Sequence, residues 1–178
     1  MKRIIILALV AILAVSAVFA GQHIVTASAS PYAKQYVKSS WDTNYDSHYG
    51  WGGKVGYRYF TGPVLLGVDV VYEGYNYSEY HKNLANWQFL AKVGAKAILL
   101  ENMDLNADFG CGVEIDVTNV INTHFVMAGN VGLTYFVTPM VGITLGTDLS
   151  ITWPQTKNST YQARVFNVFP TVGVELDF

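Results

Sequence analysis

The chain has 178 residues, of which 51% are hydrophobic and only 13% charged, and its formal net charge is −2. An average soluble domain carries about 25% charged residues, so an ordinary water-facing surface would be poorly supplied here. The charge, which becomes −4 once Lys2 and Arg3 are set aside, argues against nucleic acid as a partner, and a lone cysteine, Cys111, excludes an internal disulfide.

Residues 1–20 read as a secretory signal peptide. Met1-Lys2-Arg3 is a basic start, residues 4–15 are an apolar run, and Val18-Phe19-Ala20 gives a small-residue cleavage pattern after Ala20. The apolar run falls short of the roughly 20 residues a membrane helix needs. No cysteine follows it to carry a lipid anchor. Residues 21–178 are then expected to form one folded domain.

From there the chain alternates with a period of two, the signature of half-buried strands. Residues 22–30 hold the weakest candidate, with only Ile24, Val25, Ala27 and Ala29 to mark it. Residues 49–59 set Tyr49, Trp51, Val55, Tyr57 and Tyr59 against Gly50, Gly52, Lys54, Gly56 and Arg58. Residues 64–73 follow less cleanly after the turn Thr61-Gly62-Pro63. Residues 87–97 place Trp87, Phe89, Ala91, Val93 and Ala95 on one face, with Leu90 as the exception on the other. Residues 105–117 are the clearest strand. Leu105, Ala107, Phe109, Cys111, Val113, Ile115 and Val117 face one way, and Asn106, Asp108, Gly110, Gly112, Glu114 and Asp116 the other. Residues 125–135, 141–153 and 166–178 complete eight strands. Most are near the roughly 9 to 11 residues that cross a bilayer at a tilt. Cys111 is expected in a buried apolar role.

The connections alternate in length. Residues 61–63 and 138–139 are tight turns and 98–104 a moderate one, whereas 31–48, 74–86, 118–122 and 154–160 are the linkers of the other end. Short turns at one end and longer loops at the other suit an eight-stranded antiparallel up-and-down transmembrane β-barrel. A soluble lipocalin-like barrel is the bland alternative. Three features stand against it. The polar face is rich in Gly, Asn, Thr and Ser rather than Lys and Glu. Aromatics gather at strand ends as two girdles, Tyr49, Trp51, Tyr72, Trp87 and Trp153 toward the long loops and Tyr57, Tyr59 and Tyr135 toward the short turns. The last strand ends Val172, Val174, Leu176, Phe178 in strict alternation.

The alternating strands, the short turns and the run Val172-Gly173-Val174-Glu175-Leu176-Asp177-Phe178 resemble the small bacterial outer-membrane barrels of the OmpA, OmpX and OmpW type. The likeness covers residues 21–178 as a pattern rather than a strict motif. It implies a place in the outer membrane among its lipids, and a terminal aromatic, here Phe178, that the barrel-assembly machinery reads. Pro170 departs from the simplest pattern. It cannot donate to the ladder, so a bulge or an unpaired edge is expected there.

The inward charges segregate by strand: Lys54 and Arg58, then Asp69 and Glu73, then Lys92 and Lys96, then Asp108, Glu114 and Asp116. Neighbouring strands would set Lys54 diagonal to Asp69 and Glu73, and both Lys92 and Lys96 beside Asp108. The preferred reading is a lumen filled by these side chains, with a structural or surface-interaction role, because an eight-stranded barrel is only just wide enough for them. The alternative is a narrow channel for small, even apolar, solutes, as resemblance to the OmpW type implies.

No enzyme is expected. Asp116, His124 and Ser150 or Thr152 could meet at the mouth in a hydrolase-like set, but no nucleophile motif supports them. His23, His48, His81 and His124 are scattered, so neither metal nor cofactor is expected. The tyrosines of residues 74–82 are read as an extension of the girdle, with binding of an extracellular ligand as the sharper possibility.

Overall fold

The computed structural model describes residues 21–38, 46–77, 82–117, 122–153 and 164–178. The expected signal peptide, residues 1–20, lies outside them. Eight strands follow in order: β1 (Gln22–Lys38), β2 (Asp46–Thr61), β3 (Val64–Tyr77), β4 (Lys82–Leu100), β5 (Met103–Asp116), β6 (Asn122–Thr138), β7 (Val141–Trp153) and β8 (Arg164–Asp177). Each pairs antiparallel with its sequence neighbours, and β8 returns to β1, so the sheet closes on itself. Closure removes every open edge. Among the described residues no helix is long and apolar enough to cross a membrane.

The strands run longer than expected, up to 19 residues in β4. Two of the linkers read from the sequence shrink accordingly. Residues 31–38 belong to β1 and 46–48 to β2, while 74–77 belong to β3 and 82–86 to β4. Residues 39–45, 78–81, 118–121 and 154–163 lie outside the described residues. At the other end the turns are tight. Gly62 between β2 and β3 takes φ +62 with nothing near a would-be Cβ, so the backbone conformation and not the space calls for glycine. Thr138 folds its hydroxyl over the last turn, accepting from the amides of Met140 (3.3 Å) and Val141 (3.1 Å).

Pro170 sits at an irregular seam within the wall, the other register shifts lying beside the short turns, between Ile98 and Leu100 and between Phe136 and Thr138. The β7–β8 register runs unbroken through Thr147 and Pro170. The β1–β8 register instead jumps from Ala29 and Val172 to Lys34 and Val168, and β1–β2 jumps from Ser30 and Gly52 to Ala33 and Gly50. The extra residue therefore lies on β1, beside Pro31 and Tyr32. Pro31 and Pro170, neither of which can donate, both fall in this interrupted stretch, and the bulge on β1 absorbs the mismatch. Beyond it the closure is regular, ending where the Phe178 amide donates to the His23 carbonyl (2.9 Å).

The two faces of the wall separate as the alternation predicts. Val131 (56% exposed) and Leu145 (59%) face outward with Val55, Phe109, Ile143 and Val174. Asp69, Gln88, Thr134 and Glu175 face inward and are buried. Leu90, the exception in its strand, is one of the inward apolar residues, packed with Val126 and Ala128 against Val71. The expectation for Cys111 is corrected. It stands exposed on the outer face of β5, because its odd-numbered neighbours all point away from the lumen. Its apolar surroundings are whatever solvates that exterior.

Candidate functional site

The interior is crossed by an ion network that four consecutive strands supply. Arg58 on β2 holds Asp69 on β3 with both nitrogens (2.5 and 2.9 Å) and reaches Asp108 on β5 (3.4 Å). Lys92 on β4 lies 2.8 Å from Asp108 and 3.7 Å from Asp69. The square is built by register. Arg58 stands opposite Gly67 and Asp69 opposite Gly56, so each long side chain leans over a glycine toward its diagonal neighbour. A Cβ at Gly56 would collide with Asp69 Oδ1 and stand 2.8 Å from Arg58 Nη1, and one at Gly67 would lie 2.7 Å from Arg58 Cδ. The inner glycines are the space into which the charges fold.

Lys54 stands diagonal to Asp69 and Glu73 in the register, as expected, but its ion pair is elsewhere. It bonds neither Asp69 nor Glu73 but crosses the bore to Asp148 on β7 (2.7 and 2.8 Å), which also accepts from Asn130 (3.0 Å). Asp69 is diagonal to both Lys54 and Arg58, and the bidentate guanidinium holds it. Lys96 likewise neighbours Asp108 by register, as expected, but bonds another carboxylate. It pairs with Asp104 (2.6 Å) rather than Asp108, which Lys92 already holds, and lies over the rings of Phe60 and Phe136. Asp104 and Glu175 were missed as members of this interior, and Asp148, already on the polar face of its strand, was missed as a member of the ion network. The parity of β5 and β8 carried the signal for Asp104 and Glu175, whereas a contact across the bore leaves no mark in local alternation.

Toward the long-loop end Glu73 and Glu114 have uncharged partners. Gln88 donates one amide nitrogen to both carboxylates (2.8 and 2.9 Å). Asn167 (3.2 Å) and the Tyr75 hydroxyl (3.3 Å) complete Glu73, and Thr152 (2.9 Å) and Asn86 (3.5 Å) complete Glu114. Tyr75, read from sequence as part of a surface loop, is thus buried inside the barrel beside Ala33 and Phe169. At the short-turn end Ile24, Phe60 and Leu65 form an apolar floor. Polar layers and apolar plugs alternate along the bore.

The hydrolase-like set does not assemble at an accessible mouth. Ser150 and Thr152 are buried, with Thr152 donating to Glu114 and Ser150 accepting from Asn167 (3.2 Å). Asp116 and His124 stand on neighbouring strands, opposite Asn122 and Glu114. Among the described residues no group of three or more His, Cys, Asp or Glu is placed to hold a metal ion.

On the outside, Trp51, Tyr72 and Trp87 form a continuous aromatic row (ring centroids 5.4 and 5.0 Å apart), and Phe125 with Trp153 (5.8 Å) continues it on the far strands. Tyr49 adds to it through Tyr32 (5.4 Å). At the other end the Tyr57 hydroxyl bonds His23 Nδ1 (2.7 Å), the Tyr59 ring tilts against the same imidazole, and Tyr135 is exposed. An apolar band between two aromatic levels, around a polar interior, inverts the lipocalin arrangement.

Exterior, interior and closure together define a transmembrane β-barrel of eight strands. No family model matches the sequence, and no curated protein matches it. Among solved structures it is similar to the Neisserial surface protein A, at 15% identity and TM-score 0.68, over 88% of this chain and 97% of that one. It is similar also to Ail, the attachment invasion locus protein of Yersinia pestis (14%, TM-score 0.55, 90% and 100%). A third likeness is to the outer membrane enzyme PagL (9%, TM-score 0.50, 82% and 97%). The fold is that of the small eight-stranded outer-membrane barrels, whose members serve more than one role.

Proposed function

We propose that this chain is an exported outer-membrane barrel with a structural or surface-interaction role and a lumen closed by its own side chains. The observation that carries the reading is the bond from Lys54 on β2 to Asp148 on β7, which ties two walls together across the bore while Arg58 and Lys92 fill the rest. Four cations and four aspartates are matched there, and an eight-stranded bore is only just wide enough for its own side chains, which leaves no room for a sugar-sized solute to pass. Residues 1–20 serve as the signal peptide in this reading, and the exposed ring of Phe178 on the seam is offered to the assembly machinery. Ail, of the same fold, has been solved with the heparin analogue sucrose octasulfate. That precedent fits a surface role carried by the loop end.

Liposome swelling on the refolded barrel tests it. Wild type and Lys54→Ala should both leave small sugars and amino acids outside, while Lys54→Ala lowers the unfolding midpoint. Swelling by the wild type at rates typical of open porins would favour the narrow-channel reading instead.

A further inference from the structure

The charges of the bore leave a remainder. Lys54, Arg58, Lys92 and Lys96 are matched by Asp69, Asp104, Asp108 and Asp148. Glu73, Glu114 and Glu175 have no such partner within salt-bridge distance among the described residues. Glu73 and Glu114 hold hydrogen bonds on both carboxylate oxygens, whereas Glu175 on β8, only 2% exposed, does not. Its Oε2 accepts from the Thr134 hydroxyl (3.0 Å), but its Oε1 is buried without any hydrogen-bond partner. Four further buried oxygens share that condition: Asn167 Oδ1, which lies apart beside Glu73, and Thr26 Oγ1, Ser28 Oγ and Asn106 Oδ1, which make a set of four with Glu175.

All four residues line one chamber in the short-turn half of the lumen, above the floor of Ile24, Phe60 and Leu65. Register brings them together. Thr26 stands directly opposite Glu175, with Ser28 one step along the same face, and Asn106 reaches Thr134, the residue that also holds Glu175. The space is about 40 Å³, enough for a few water-sized occupants and no more.

We propose that this chamber is a monovalent-cation site, with Glu175 Oε1, Asn106 Oδ1 and the hydroxyls of Thr26 and Ser28 as its oxygen ligands. Water alone would satisfy the hydroxyls and the amide but would leave a carboxylate charge uncompensated in a low-dielectric interior. Asp108 also lines the chamber but is held by Lys92 and Arg58, so the one carboxylate left over balances a single positive charge. A divalent ion would leave an excess beside Lys54 and Arg58, which line the same chamber. An all-oxygen ligand set and a small cavity suit sodium, potassium or ammonium rather than a soft metal. The site does not depend on whether the lumen conducts.

The refolded barrel in detergent tests this through its unfolding midpoint, read by gel migration of unboiled samples. Sodium or potassium chloride is compared with N-methylglucamine chloride at equal ionic strength, the last cation being too large for the chamber. The alkali salts should raise the midpoint by about 2–4 °C. That rise should disappear in Glu175→Gln. It should disappear also in Gly132→Ala, whose new Cβ enters the chamber wall at ordinary contact distance (3.4 Å from Thr144 Cγ2) and should leave the fold intact. If Glu175→Gln fails to refold, Gly132→Ala carries the test. A wild-type midpoint indifferent to the cation would overturn the site. So would an alkali effect that survives both substitutions, which would place the ion elsewhere. A midpoint that ignores the cation but moves with pH would assign the charge balance to a proton and overturn the site as well.

Discussion

Arg58 is the side chain on which the interior depends most. It reaches two aspartates on two other strands, and the glycines at 56 and 67 exist in that space because the guanidinium and the carboxylate fill it. Removing it leaves Asp69 and Asp108 buried with Lys92 as their shared counter-charge. Breaking a buried pair from one side costs about 3–5 kcal/mol. Arg58→Ala should therefore lower the unfolding free energy in a urea titration by that order. The double substitution Arg58→Met with Asp69→Leu should recover much of the loss, since no orphan charge from that pair then remains. A single Arg58→Ala that unfolds at the wild-type urea concentration would show the network to be incidental.

At the scale of the element, seven strands were legible because outward Val, Leu, Phe and Trp alternate with inward Gly, Asn, Thr and charge, cleanly in five of them and less so over residues 64–73 and 166–178. β1 was the exception. Ala27, Ala29, Ser28 and Ser30 differ too little in hydropathy to mark two faces, and its bulge at Pro31 and Tyr32 breaks the period where the strand would otherwise have been followed to Lys38. Charges on adjacent strands were likewise legible, so the Lys92–Asp108 pair was found, while Lys54–Asp148 was not. Adjacent-strand distances follow from register, but a bond across the bore follows from the curvature of the closed wall, which no local window encodes. The seam carries its own prediction. Those amides of β1 and β8 that point into the seam, between Ala29 and Lys34 and between Val168 and Val172, lack a continuous ladder, although β8 keeps its ladder to β7. They should exchange hydrogen faster than those of β4 and β5, whose register is unbroken from Asn86 and Asp116 to Ile98 and Asp104. Uniform protection around the whole wall would contradict the bulge.

For the whole molecule, the decisive feature is which solvent each face meets. The exterior between the aromatic levels is apolar all the way round, including Val55, Leu66, Val93, Phe109, Val131, Leu145 and Val172. In water a continuous surface of that kind would drive association. In lipid it is the matched face. Val131, near the middle of β6, should tolerate Leu freely. Val131→Arg should cost about 2–4 kcal/mol in bilayers, as a charge at the midplane does, and the same substitution at Ile98, beside a short turn, should cost far less. Equal tolerance at both positions would speak for an aqueous exterior.

The most direct measurement of that claim is refolding from urea with and without lipid vesicles or detergent, followed by gel migration of unboiled and boiled samples. The account predicts a compact, heat-modifiable species that forms only when lipid or detergent is present, and aggregation without it. A monodisperse, β-rich monomer in plain buffer would contradict it.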